Sequence, residues 1–218
     1  MNTSSSTTIG WIAIITGIVA IVELIFIVLF YALIESGGDS FGTLNDLCVA
    51  LGGILSGILV WRLYPIHRSH APRASHFALG SGMVGACLAP FGSGLVIFNI
   101  TGWLLAGLVT TFGYALIGLW LLGLNYSARR WLAFPQRLAQ FGILAGGVMA
   151  SGILAGPGIL ARTDAMESSQ WFVLTALYVG GLGWNILYTI WCIWLGHLLL
   201  SKRLELHVAT IAEQSAAR

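Results

Sequence analysis

Apolar residues run along this chain in long unbroken stretches, separated by short polar connections. Six such stretches, 10–34, 44–64, 77–98, 102–124, 138–160 and 171–200, each hold 21 residues or more, and about 20 apolar residues carry a helix across a bilayer. Strands of a membrane barrel would instead show roughly ten-residue segments of alternating polarity. The pattern therefore predicts an all-α polytopic membrane protein, six transmembrane helices in one bundle. Residues 1–218 then form a single transmembrane domain, with 201–218 as a short tail. In that tail Leu204, Val208 and Ile211 recur at helical spacing, as a frayed continuation of the last span or a short interfacial helix would. The first stretch lacks a basic leading region and is too long for the apolar part of a cleaved signal, so it is read as a span.

Composition sharpens this reading. Hydrophobic residues make up 57% of the chain and charged residues 8%, against roughly 25% charged in soluble domains. The net charge is only +2 and no basic block is present, which excludes nucleic acid as a partner. The charges are nonetheless sorted. Arg62, Arg68, Arg73, Arg129, Arg130, Arg137, Lys202, Arg203 and Arg218 fall on one side of the predicted spans, and Arg162 falls on the other with Glu35, Asp39, Asp46, Asp164 and Glu167. Basic residues are retained on the cytoplasmic side, so both termini are expected in the cytoplasm. Trp61, Trp103, Trp131 and Trp171 come near predicted interfaces, where an indole sits well.

Helices in lipid associate through small residues and hydrogen bonds. Small or polar residues recur at helical spacing in the later spans: Asn45, Gly52 and Ser56; Ser81, Gly85 and Gly92; Gly107, Thr111, Tyr114 and Gly118; Gly147, Ser151 and Ala155. The last span has the clearest packing stripe, with Tyr178, Gly181, Asn185, Thr189, Cys192 and Gly196 on one side. Trp184, Trp191 and Trp194 fall on the other side and are expected to face lipid. A faint repeat pairs a glycine with a later tryptophan in spans two, four and six: Gly53 and Trp61, Gly113 and Trp120, Gly183 and Trp191. Three helical hairpins in tandem would account for it.

Glu23 departs from the rest. It lies near the middle of the first span with no basic residue within four positions, and a charge at the bilayer centre costs about 3 kcal/mol even on lenient scales. The carboxyl must be protonated, hydrogen-bonded or facing water. Counting from the span ends puts Tyr114, Ser151 and Asn185 at a similar depth, so these residues are expected around it, with Pro90 freeing a backbone carbonyl nearby. Such a carboxyl suits proton coupling or a cationic solute; the bland alternative is an interhelical tie to Asn185 or a tyrosine. Asp46, after Asn45 at the outer end of the second span, reads as a solvated helix cap.

No cofactor is implied. The only lysine, Lys202, lies beyond the last span, which excludes a retinal Schiff base, and no histidine pair faces across mid-membrane for haem. His67, His70 and His76 share a basic connection with Arg68 and Arg73, which suits anionic lipid headgroups better than a metal. Cys48, Cys87 and Cys192 sit at different depths with no C-x-x-C. Ser81 and Ser93 lack the Gly-x-Ser-Gly of intramembrane serine proteases, and His197 is too near the cytoplasmic edge to serve them.

The run Trp61-Arg62-Leu63-Tyr64-Pro65-Ile66-His67-Arg68, closing the second span ahead of a small-residue third one, resembles uncharacterised bacterial six-helix inner-membrane proteins of the DUF4386 type. The resemblance covers spans two and three. It implies a bacterial inner (plasma) membrane location and adds no catalytic residues. The expected function is a non-enzymatic, permease-like or small-ligand-binding bundle. Its site is formed by Glu23, Tyr114, Ser151 and Asn185, and its partners are membrane lipids and a small solute or proton. A structural or assembly subunit docking to other membrane proteins is the alternative, and a lipid-modifying enzyme the third.

Overall fold

The computed structural model describes residues 3–130 and 134–201. It is all-helical, and six helices are long and apolar enough to cross a membrane. They are α1 (Thr3–Ala32), α2 (Asp39–His70), α3 (Pro72–Ile97), α4 (Trp103–Ala128), α5 (Gln136–Leu160) and α6 (Trp171–Leu200). The tail and Trp131 lie outside the described residues.

Each span predicted from hydrophobic length is present, with ends shifted by local chemistry. The second helix does not close at Tyr64-Pro65. It runs through Pro65 to His70 and breaks at Ala71, with φ −146° and ψ 73°, ahead of Pro72. A residue preceding proline is driven out of the α region, while Pro72 itself fits the first turn of α3. A single residue thus joins α2 to α3. Asp46 is likewise no cap: α2 begins at Asp39 and carries Asp46, half-buried, within its body.

Two helices are irregular at mid-length. In α5 the turn Ser151–Ala155 is a 3₁₀ helix just before Pro157. Proline supplies no N–H to the carbonyl four residues back, which favours this tighter bonding. In α6, Gly183–Tyr188 forms a π helix, a turn with one residue more than an α turn.

Consecutive helices pack against one another, and the second half of α6 closes the ring on α1. α4 is the most enclosed helix, touching α2, α3, α5 and α6. Glycines set its two main crossings. A Cβ on Gly113 would stand 2.6 Å from the Ala89 nitrogen of α3, and one on Gly146 of α5 would stand 2.7 Å from the Gly118 carbonyl oxygen of α4. The ring closure is as tight, since a Cβ on Gly196 would lie 2.7 Å from the carbonyl oxygen of Gly10.

The tryptophan pattern is where the sequence reading needs correcting. Trp103 and Trp171 are exposed at helix ends and Trp61 is exposed within α2, but Trp191, expected toward lipid, has 0% exposure. Its ring meets Trp120 edge-on at 6.2 Å, and its indole N–H donates to Asn125 Oδ1 at 3.2 Å. A buried indole needs such a partner. Asn125 supplies it while its amide nitrogen donates to the Leu121 carbonyl at 2.8 Å. Trp184 and Trp194 are half-buried against the same core. The glycine–tryptophan repeat therefore does not extend to environment: Trp61 faces out while Trp120 and Trp191 face in.

Candidate functional site

Glu23 is 5% exposed. Its carboxyl makes no hydrogen bond and has no cationic partner among the described residues. It borders a cavity of about 10 Å³ lined by Thr16, Ala20 and Glu23 of α1, Gly52 and Ser56 of α2, Tyr114 of α4, and Trp184 and Tyr188 of α6. That volume is about what one water molecule requires. The α1 residues lie three and four positions apart, the repeat that puts side chains on one helix face. The same rule pairs Gly52 with Ser56.

Hydrogen bonds hold this wall in place. Tyr114 Oη donates to the Val49 carbonyl at 2.9 Å, pinning α4 to α2. Tyr188 Oη donates to Ser56 Oγ at 3.0 Å, and Ser56 Oγ donates to the Gly52 carbonyl at 2.7 Å, pinning α6 to α2. A Cβ on Gly52 would fall 2.8 Å from the Tyr114 hydroxyl, so only glycine lets the phenol in at this point. Trp184 stands edge-on to Tyr114 with ring centroids 3.8 Å apart. Asp46 interacts electrostatically with Glu23 and is hydrogen-bonded by the Asn45 side chain.

Of the residues expected around Glu23, the structure brings Tyr114 to the cavity. Ser151 is elsewhere: it sits on α5 and donates to the Val148 carbonyl at 2.7 Å, whereas the cavity is bordered by α1, α2, α4 and α6. Asn185 neighbours a lining residue without lining the cavity itself. Its amide nitrogen donates to the Gly181 carbonyl at 3.1 Å, and its Oδ1 is buried without a partner among the described residues. Pro90, on α3, packs against Gly53 of α2 and does not line the cavity. Of the packing stripe, Thr189, Cys192 and Gly196 are buried, while Gly181 has open space beside it and Tyr178 is exposed.

Sequence reasoning missed Thr16, Ser56, Trp184 and Tyr188 as site residues. A signal for the first was present: Thr16 and Ala20 are the small or polar residues on the Glu23 face of a span otherwise rich in Ile, Leu, Val and Phe.

Two further polar contacts sit outside this cavity. His67, expected in a solvated basic loop, is inside α2 and 2% exposed. Its Nε2 lies 3.1 Å from Ser127 Oγ of α4; that hydroxyl donates to the Gly123 carbonyl, so the imidazole is the donor. Near Arg162, Asp164 accepts the N–H groups of Gly102 at 2.7 Å and Leu105 at 3.2 Å, capping α4 from the connection before α6. Among the described residues no group of three His, Cys, Asp or Glu side chains is placed to hold a metal.

No protein-family model matches the chain, and neither a curated protein nor a solved structure matches it.

Proposed function

We propose that this protein is a permease-like bundle of the bacterial inner membrane, with both termini cytoplasmic, in which Glu23 takes up and releases a proton or acts as counter-ion to a small cation. The observation that carries the reading is a carboxyl buried among four apolar helices, without hydrogen bond or cation among the described residues, at the edge of a water-sized cavity. A carboxyl kept only for packing would be expected to have its oxygens satisfied by neighbours. Ionisable groups inside a membrane mark ion and proton pathways, because their burial is otherwise so unfavourable. The distribution of Arg62, Arg68, Arg73, Arg129, Arg130 and Arg137 against Glu35, Asp39, Asp164 and Glu167 supports the orientation.

Carboxyl infrared difference spectroscopy in vesicles, with Glu23→Gln to identify the band, tests this. A Glu23 band that titrates or shifts when small cations are added supports the reading. A band that stays fixed under both treatments overturns it, and a structural subunit whose membrane partners copurify would replace it.

A further inference from the structure

At the arginine-bearing end of the bundle, the elbow between α2 and α3 opens into a groove of about 570 Å³ lined by Tyr64, Pro65, Arg68, Ser69 and Pro72. The hairpin turns on Ala71 alone, so these residues sit on helical backbone and hold a fixed spacing. Arg68 is exposed and has no carboxylate partner among the described residues. Tyr64 stands edge-on to His76 of α3, ring centroids 5.8 Å apart, and its hydroxyl has no hydrogen-bond partner among the described residues. His76 donates from Nδ1 to the Pro72 carbonyl at 2.6 Å, which fixes the ring that Tyr64 meets. The groove therefore offers a full positive charge and a hydroxyl donor, with no carboxylate among its lining residues. That combination suits an anion.

Which anion it suits follows from the stripe of α2 that leads to the groove. Ile54, Trp61 and Arg68 recur every seven residues, and Ile58 and Pro65 each fall four positions after one of them, so all five share one helix face. All five are exposed. Beside them on α3, Phe77 is 70% exposed and Gly80 has nothing within 4 Å of its Cβ direction. The face thus passes from aliphatic side chains through an indole to a guanidinium about 10 Å further along the axis. A phospholipid changes in the same order, from acyl chain through the interface to phosphate. A soluble anion would use the guanidinium but not the apolar stripe below it.

We infer that the α2–α3 elbow is a binding site for the headgroup of an anionic phospholipid, with Arg68 pairing with the phosphodiester, the Tyr64 hydroxyl as a second donor, and the acyl chains along the stripe of Ile54 and Trp61. A guanidinium presents parallel N–H groups to phosphate oxygens and keeps its charge at any physiological pH. His67, the neighbour of Arg68 in sequence, takes no part, because it points inward to Ser127. The site is independent of Glu23 and stands or falls apart from the permease-like reading.

Native mass spectrometry of the full chain, released from detergent containing equal amounts of phosphatidylglycerol and phosphatidylethanolamine, tests the site. The first lipid retained should be phosphatidylglycerol by a several-fold margin. Arg68→Gln should weaken its binding about tenfold, the worth of one charged hydrogen-bonded contact. Arg129→Gln removes the same charge from the same end of the bundle, outside the groove, and should leave binding within about twofold. Both arginines are exposed, so neither substitution disturbs the packing. Equal losses in the two variants, or no preference for phosphatidylglycerol, overturn the site. Displacement of the lipid by millimolar inorganic phosphate also overturns it, since the ligand is then a soluble anion. In bilayers, a phosphatidylglycerol with a photoreactive headgroup should label residues 64–72 in preference to Arg129 and Arg130, and even labelling of the two regions counts against the site.

Discussion

Tyr188 and Ser56, 132 positions apart in sequence, share a buried hydrogen bond of 3.0 Å that ties α6 to α2 beside Glu23. The two ends of this bond are not equivalent. Tyr188→Phe removes a donor and leaves Ser56 bonded to the Gly52 carbonyl, so it should destabilise the bundle by about 1 kcal/mol. Ser56→Ala leaves the buried phenol only the Cys192 sulfur, a weak acceptor, and should be the more damaging change, up to about 3 kcal/mol. Unfolding in mixed micelles under increasing dodecyl sulfate reads both, and equal effects would contradict the asymmetry.

The α3–α4 crossing depends on backbone approach at Gly113. Gly113→Ala places a methyl group against the Ala89 main chain and forces the helices apart, for a loss of about 1–3 kcal/mol. Gly80 on α3 has nothing within 4 Å of its Cβ direction, so Gly80→Ala should be neutral or slightly stabilising. The same unfolding assay compares the two.

Asp164 caps α4 from a distance. Asp164→Ala leaves the Gly102 and Leu105 N–H groups without their acceptor and should lower stability by about 1 kcal/mol. Asp164→Asn keeps a side-chain acceptor and should recover part of it. Amide exchange at Gly102 and Leu105, followed by NMR in micelles, should speed up in the alanine variant and change less in the asparagine one.

Asn125 sits with 0% exposure between the Trp191 indole and the backbone of Gly142. Asn125→Leu leaves the indole N–H unpaired and adds bulk where the fit is already close, with an expected loss of about 2–3 kcal/mol. Asn125→Ala relieves the crowding but not the orphaned donor, so the two losses differ by the packing contribution. Trp191 fluorescence should change in both variants.

The spans were legible because hydrophobic length alone decides whether a helix can cross lipid. The site was legible in part. Glu23 stands out by chemistry, and Tyr114 could be placed by counting about 1.5 Å of rise per residue. That count gives depth but no azimuth, and it assumes a regular helix. Asn185 follows Gly183 and Trp184 in a π turn whose extra residue carries it off the cavity face, and Ser151 starts a 3₁₀ turn on a helix that does not border the cavity. The 3₁₀ turn goes with Pro157, but which helices border the cavity is a matter of packing, which hydrophobic patterning does not encode. Trp191 was misplaced for a related reason. Its burial depends on Asn125, a partner 66 positions away that no local pattern announces.

The closure of the ring by α6 on α1 bears on how the molecule is assembled. α1 is made before α6, and it finds one of its two neighbours only when α6 has been made. Until then the face bearing Gly10, Gly17 and Glu23 lacks the helix that covers it. During synthesis the membrane must therefore hold a half-shielded carboxyl for the whole interval between the first span and the sixth. A chain stopped before Trp171 should remain a substrate for insertion factors and quality-control proteases, even though five of its six spans are complete.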